Sequence, residues 1–215
     1  MSNVGRTYKT ADAAFRNLYE RISNKGFKTE TGMRLFNEGF YITNPVDNII
    51  KAPFRNWNET YAKREWDWYI SKDRSVKELK KFAPIWDNMH GGDDIVNSNY
   101  GYQWNRNNQL TKVIKLLSEK PDTRQAWLTI HDGKEMDQYE YDTPCTLSIG
   151  FNIVKDDLNM NVLMRSNDLW YGFCNDQYCF SNLQIQMAKL LKKKVGWYFH
   201  YASDLHIYND QLGRY

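Results

Sequence analysis

Cys145, directly behind Asp142-Thr143-Pro144 and at the start of an alternating segment, is the side chain with the most consequential chemistry. A thiolate is a strong nucleophile, and Pro144 fixes the backbone that would present it. Buried and protonated, the same residue is a small hydrophobe. Glu65, within Glu65-Trp66-Asp67-Trp68-Tyr69, offers a carboxyl for general acid–base work, or it is a solvated helix glutamate. Arg165-Ser166 places a guanidinium beside a hydroxyl at a strand end, which suits a phosphate monoester or a surface ion pair. His206 and Tyr208 are two residues apart in an extended segment, so they share a face. Asp176 stands at the start of the longest helical pattern, where a carboxylate caps well. Cys174 and Cys179 flank that turn and read as packing residues.

The elements that must position these groups follow from periodicity. Residues 11–23 place Ala14, Phe15, Leu18, Tyr19 and Ile22 on one helix face. Residues 24–55 read as turns with short extended pieces. Residues 60–71 predict a second helix with Tyr61, Trp68 and Tyr69 turned inward, and a polar loop follows at 90–99. Residues 107–119 predict a third helix, carrying Leu110, Val113, Ile114 and Leu117 and ending before Pro121. The period then changes. Segments 125–132, 145–154 and 158–166 alternate as half-buried strands, the last two joined in a hairpin at Lys155-Asp156-Asp157. Residues 177–194 predict the longest helix, and short strands near 197–202 and 204–208 follow. Strands and helices mixed without regular βαβ alternation indicate an α+β fold.

Length and composition narrow the function classes. At 215 residues with 41% hydrophobic and 26% charged content, the chain reads as one domain, 1–215, with a sizeable core. Mean hydropathy is −0.75 and no apolar run approaches a membrane span. The first twenty residues lack an apolar leader, and three cysteines fit neither a disulfide framework nor a zinc motif, so a cytoplasmic protein without metal is expected. The balance of 29 Lys and Arg against 26 Asp and Glu does not call for nucleic acid, but it leaves room for a local phosphate site.

The motifs, taken in order, resemble the thymidylate synthase family and, within it, the phage deoxycytidylate hydroxymethylases. Glu65-Trp66-Asp67-Trp68-Tyr69, Ile85-Trp86-Asp87, Tyr100-Gly101-Tyr102-Gln103-Trp104, Pro121-Asp122-Thr123-Arg124, Pro144-Cys145, Met164-Arg165-Ser166-Asn167-Asp168, Gly172 and His206-Ile207-Tyr208 match in order and spacing, from about residue 60 to residue 211. The resemblance implies a mixed sheet packed with helices and a homodimer formed through that sheet. It implies transfer of a one-carbon unit from methylenetetrahydrofolate to carbon 5 of a pyrimidine nucleoside monophosphate. Cys145 would be the nucleophile at carbon 6, with Glu65, Tyr100 and Asp176 completing the catalytic set. Arg165 and Ser166 would hold the phosphate, joined by Arg124 from the partner subunit. His206 and Tyr208 would hold the sugar, Asn167 the base edge, and Trp86, Asp168 and Gly172 the folate. Gln125 stands where the synthases carry a second cross-subunit arginine, and Lys28 is a weak substitute for their early phosphate-binding arginine.

Two departures bear on the reaction. The synthases read uracil with an asparagine four residues after the glycine matched by Gly172, and this chain has Asp176 there, as the cytidylate hydroxymethylases do. A protonated carboxyl complements cytosine's amino group and ring nitrogen, and with its proton reversed it also pairs with uracil. The chain ends seven residues after Tyr208, without the closing segment that excludes water in the synthases, so a hydroxymethyl product is expected over a methyl one. The alternatives are a methylating synthase, a dUMP hydroxymethylase, and a catalytically silent relative that binds nucleotide or RNA through its aromatic side chains.

Overall fold

Hydrophobic alternation builds one mixed sheet, and the amphipathic segments cover one of its faces. The computed structural model describes residues 5–214; Met1–Val4 and Tyr215 lie outside the described residues. In chain order the elements are β1 (Arg6–Tyr8), α1 (Ala11–Lys25), β2 (Phe27–Lys28), β3 (Gly32–Ile42), α2 (Glu59–Ser71), α3 (Tyr100–Asn105), α4 (Gln109–Glu119), β4 (Trp127–Thr129), β5 (Thr146–Val154), β6 (Asp157–Met164), β7 (Asn167–Asp168), α5 (Cys174–Leu190) and β8 (Lys194–Tyr208), with short 3-10 turns between. The eight strands run in the order β1-β3-β8-β6-β5-β4, with β2 on β3 and β7 on β8. The architecture is α+β. Among the described residues, no helix is long and apolar enough to cross a membrane.

β8 is the axis of the sheet. It pairs antiparallel with β3 from Gly32↔Tyr208 to Ile42↔Tyr198, and parallel with β6. Its alternation is regular from Gly196 to Ala202 and shifts at Ser203-Asp204, beyond which Leu205 and Ile207 are buried. Tyr198, His200 and Ala202 are buried toward the helices, while Trp197, Phe199 and Tyr201 are half-buried on the opposite face. Residues 194–208 thus form one strand rather than two short ones, and β3 replaces the expected turns and short pieces with an eleven-residue strand. Each strand supplies the other's hydrogen bonds, a contribution that neither local sequence carries alone.

α5 is buried on almost every side of its first three turns, as a helix enclosed between the sheet and other helices must be. It begins at Cys174, three residues earlier than its periodicity predicts, behind a wide π turn at Leu169–Phe173. Asp168 caps that turn by accepting from the amides of Trp170 (2.8 Å) and Tyr171 (3.2 Å). Arg55 clamps it from outside, donating from Nε to the Trp170 carbonyl at 2.8 Å. The predicted helix at 107–119 is broken at its start, because Asn107 and Asn108 adopt left-handed backbone (φ 54° and 57°). α3 ends before that break and α4 begins after it. α3 lies tightly against α2: a Cβ on Gly101 would sit 1.6 Å from the Tyr69 carbonyl oxygen, so only glycine permits this approach.

Candidate active site

Three backbone turns converge at the helix-covered side of β6, β7 and β8. The first carries Cys145. Arg165 follows β6 and reaches back across it, donating from Nε to the Pro144 carbonyl (3.1 Å) and from Nη2 to the Thr143 carbonyl (2.8 Å). The same Nη2 lies 3.8 Å from Cys145 Sγ. Asp142 fixes the other end of this turn by accepting from the amides of Asn97 and Ser98, both at 2.6 Å, and from the Ser98 hydroxyl. Tyr100 is buried beside it, its hydroxyl accepting from the Thr146 amide at 3.3 Å. A cation therefore stands beside the sulfur. Burial nevertheless pushes the Cys145 thiol up to about 11, because the cation is outweighed by desolvation and the surrounding carboxyls of Asp176, Asp142 and Asp168. Cys145 is protonated until something changes that balance.

The second turn and α2 bring two carboxyls together. Glu65 lies on the stripe Ala62, Glu65, Tyr69 and is buried, not solvated. Its Oε1 accepts from the Tyr69 hydroxyl at 3.1 Å, and its Oε2 is buried with no hydrogen-bond partner. Burial pushes its carboxyl up to about 7. Asp176, in the first turn of α5, is also buried, and burial together with the charge of Glu65 raises it well above the usual carboxylate range. Asp176 is not the helix cap: it lies within the first turn of α5, whose N-cap position is Phe173, and Asp168 caps the π turn ahead of it. Instead, Asp176 Oδ2 accepts from Asn167 Nδ2 at 2.8 Å. Gly172 lets the two meet, since a Cβ there would stand 2.9 Å from Asn167 Nδ2 and 3.4 Å from Asp176 Oδ2. Cys174 and Cys179 are fully buried and unpaired, as packing residues are.

The third turn opens the site to solvent. A cavity of about 180 Å³ is lined by Ser166, His206 and Tyr208 together with Thr29, Thr31, Arg34 and Asp204. The His206 and Tyr208 rings meet edge to face at 5.3 Å. Lys28 is not among the lining residues. The cation here is Arg34, which pairs with Asp204 at 3.0 Å. Sequence reasoning missed Arg34 because β3 was not recognised. Its alternation places Arg34 opposite His206 across the β3–β8 ladder, and this was the available signal.

The structure thus brings Cys145, Arg165, Tyr100, Glu65, Asp176, Asn167, Ser166, His206 and Tyr208 around one region, with Asp168 and Gly172 building the turn beneath it. Arg124 is apart from them, exposed on the loop before the edge strand β4. Trp86 is buried and donates from Nε1 to the Tyr61 hydroxyl at 2.9 Å, one side chain from Glu65. Of the residues expected to hold folate, only Trp86 keeps a ring beside the carboxyl pair. Both oxygens of Asp168 are engaged by amides, and Gly172 is pressed against Asn167. The chain can therefore offer a nucleophile and a buried acid–base pair beside a cavity that holds Ser166, Arg34, His206 and Tyr208.

The family model described as thymidylate synthase matches residues 48–214. The chain is 34% identical over 129 residues to the deoxycytidylate 5-hydroxymethyltransferase of Enterobacteria phage T4, covering 55% of this chain and 52% of that protein. It is 28% identical over 186 residues to the deoxyuridylate hydroxymethyltransferase of Bacillus phage SP01, covering 79% and 49%. Against the thymidylate synthase of Lactococcus lactis subsp. cremoris it is 22% identical over 227 residues, covering 94% and 80%. The matched region spans about half the length of these two phage relatives.

The carboxyl of Glu65 makes stability depend on pH. The unfolded chain releases this proton near 4.5 and the folded chain only near 7, so the folded state holds the extra proton between these values. Its stability falls as pH rises through that window, by roughly 3 kcal/mol once pH exceeds both values. Glu65→Gln removes this penalty. Urea unfolding should show the variant gaining on wild type by about that amount between about pH 4 and about pH 8. A gap that does not change with pH would mean that Glu65 is ionised at its ordinary value.

The protonated thiol is checked separately. Alkylation of Cys145 by iodoacetamide, followed by mass spectrometry, should be slow near pH 7 and rise steadily toward about pH 10, with Cys174 and Cys179 unmodified in the folded protein. A plateau near neutrality would reveal a stabilised thiolate.

Proposed function

The chain belongs to the thymidylate synthase family, and we propose that it acts as one catalytic domain, in the cytoplasm, to transfer a one-carbon unit from methylenetetrahydrofolate to carbon 5 of dCMP, giving 5-hydroxymethyl-dCMP and tetrahydrofolate. The observation that carries the reading is the buried pair of Glu65 and Asp176 beside the Cys145–Arg165 contact. Folate supplies the electrophilic carbon. The chain's own residues perform the rest.

Carbon 5 of a pyrimidine is a poor nucleophile until a thiolate adds to carbon 6, which turns the ring into an enamine. Cys145 is 3.8 Å from the Arg165 guanidinium and must lose its proton to attack. A phosphate in the mouth lined by Ser166 and Arg34 would engage Arg34, with Arg165 next in the chain to Ser166, while His206 and Tyr208 would take the sugar hydroxyl. Glu65 has a free Oε2 and a carboxyl near 7, so it is poised to give or take a proton at neutral pH, for departure of the carbon-5 proton, expulsion of folate and addition of water. The neutral carboxyl of Asp176 supports cytosine recognition, since it can both donate to the ring nitrogen and accept from the amino group. The named activities of the phage relatives support a hydroxymethyl product. A deoxyuridylate substrate is the second reading, favoured by the SP01 relative and by the fact that a neutral carboxyl also matches uracil.

Mass spectrometry of products from dCMP, CMP and dUMP with methylenetetrahydrofolate tests the assignment. The expected product is hydroxymethyl-dCMP, and Cys145→Ala should release no carbon-5 tritium from labelled nucleotide. Asp176→Asn supplies an amide to uracil's O4 and should shift the dCMP-to-dUMP ratio of kcat/KM toward dUMP by about a hundredfold or more, because mismatched buried groups discriminate strongly. An unchanged ratio removes Asp176 from base recognition. Tritium release from neither nucleotide would favour a nucleotide-binding relative without activity.

We also propose a homodimer formed through the face of the sheet that carries no helices. Trp197, Phe199 and Tyr201 lie there on β8, Tyr41 packs against Trp197 (5.2 Å) and Phe199 (4.8 Å), and Trp127 is 42% exposed. An aromatic surface of this kind suits burial against a second copy. Arg124, remote from its own subunit's cavity, would then reach the partner's phosphate. Sedimentation equilibrium at working concentration should give twice the chain mass. A monomer, or a dimer undisturbed by Phe199→Glu, counts against this interface.

A further inference from the structure

A buried hydrogen-bond chain ends on the carboxyl of Asp176. The Tyr198 hydroxyl lies 2.8 Å from His200 Nδ1, His200 Nε2 lies 3.1 Å from Asn167 Oδ1, and Asn167 Nδ2 lies 2.8 Å from Asp176 Oδ2. Tyr198 and His200 are fully buried and Asn167 is 2% exposed. The His200 ring is fixed in place, stacked on Phe40 at 5.2 Å and met edge-on by Phe173 at 5.3 Å.

The direction of the chain follows from hydrogen-bond satisfaction. Among the described residues, the Tyr198 hydroxyl has no hydrogen-bond partner other than His200. If it accepted from Nδ1, its own proton would be buried without an acceptor, which costs more than an idle lone pair. The hydroxyl therefore donates to Nδ1, and His200 carries its proton on Nε2. Burial holds the ring neutral, with its titration pushed down to about 3. Nε2–H donates to Asn167 Oδ1, and this orients the Asn167 amide so that its nitrogen donates to Asp176 Oδ2.

We propose that Tyr198 and His200 are positioning residues for base choice: acting through Asn167, they fix Asp176 Oδ2 as an acceptor and leave Oδ1 as the oxygen that presents the carboxyl proton. The inference rests on Asp176 being the residue that reads the base. A carboxyl free to hold its proton on either oxygen complements cytosine in one form and uracil in the other. With one form removed, a fixed base edge is matched by only one of the two. The other charged groups that bear on Asp176 are Glu65 on α2 and Asp168 before the π turn, and among the described residues neither makes a hydrogen bond to Oδ2, whose partner is Asn167.

Two measurements on the intact protein test this. In wild type, ¹⁵N spectra of histidine-labelled protein should show one ring, identified by its loss in His200→Gln, as neutral and protonated on Nε2 near pH 7. A cationic or Nδ1-protonated ring overturns the proposal. Calorimetric binding of dCMP and dUMP is then compared between wild type and Tyr198→Phe. The variant keeps the ring but removes the donor that sets the direction, so the ratio of the two dissociation constants should move toward unity by roughly tenfold or more. If Tyr198 has only a packing role, both nucleotides weaken alike and the ratio stays, which overturns the proposal. So does a wild type that does not discriminate. A wild type that prefers dUMP, with that preference collapsing in Tyr198→Phe, supports the chain while refuting the cytosine assignment.

Discussion

Two carboxyl groups buried within each other's field, Glu65 and Asp176, set the terms for the rest of the site. Neither has a cation beside it. Glu65 has only tyrosine hydroxyls beside it, Tyr69 bonded to Oε1 and Tyr61 adjacent, and Asp176 has one amide donor. In such surroundings the charged forms are costly, and both groups hold their protons beyond the ordinary range. The same desolvation reaches Cys145 and prevails over Arg165. A site of this kind rests with its protons in place, and catalysis must begin by moving one. Perturbed groups clustered around a nucleophile are characteristic of reaction centres, whereas a core built for stability would avoid them.

Holding these groups requires rigid turns, and each turn is braced by residues distant in sequence. Arg165 ties the Cys145 turn to the end of β6, and Asp142 ties it to the loop ahead of α3. Arg55 clamps the π turn before α5. These bonds use charged side chains on backbone groups, which are among the stronger hydrogen bonds and leave little slack. The arginine that resembles a phosphate ligand thus also supports the nucleophile's backbone, so an anion bound there would bear directly on the position of Sγ.

Much of this was legible in the sequence. The order of the motifs indicated the family and its mixed α+β sheet, and α1 and the β5–β6 hairpin followed from periodicity. Glu65 was read as catalytic through resemblance, but its burial was also legible, since it stands four residues before the inward-facing Tyr69. Long-range pairing was not visible. β3 and β8 stabilise each other across more than 150 residues, so each looked like short fragments. Arg34 was lost with β3, and Lys28 was taken in its place. The start of α5 was misplaced because a π turn has no periodicity of its own, and with it Asp176 was weighed as a cap although it lies inside the first turn of the helix. His200 and Tyr198 gave no signal beyond alternation; their importance lies in which atoms they face.

The position of β8 has a consequence for how the protein is made. It is the last strand of the sheet in chain order, yet it lies between β3 and β6. Until residues 194–208 have left the ribosome, both neighbours have an unpaired edge, His200 has no place in the core, and the cavity lacks His206 and Tyr208. Closure therefore waits on pairings of very large sequence separation, a topology that folds slowly and leaves strand edges open to other chains meanwhile. Nascent chains of this protein are expected to spend that interval in need of protection by chaperones, and a nucleotide pool cannot assist folding before the final strand is inserted.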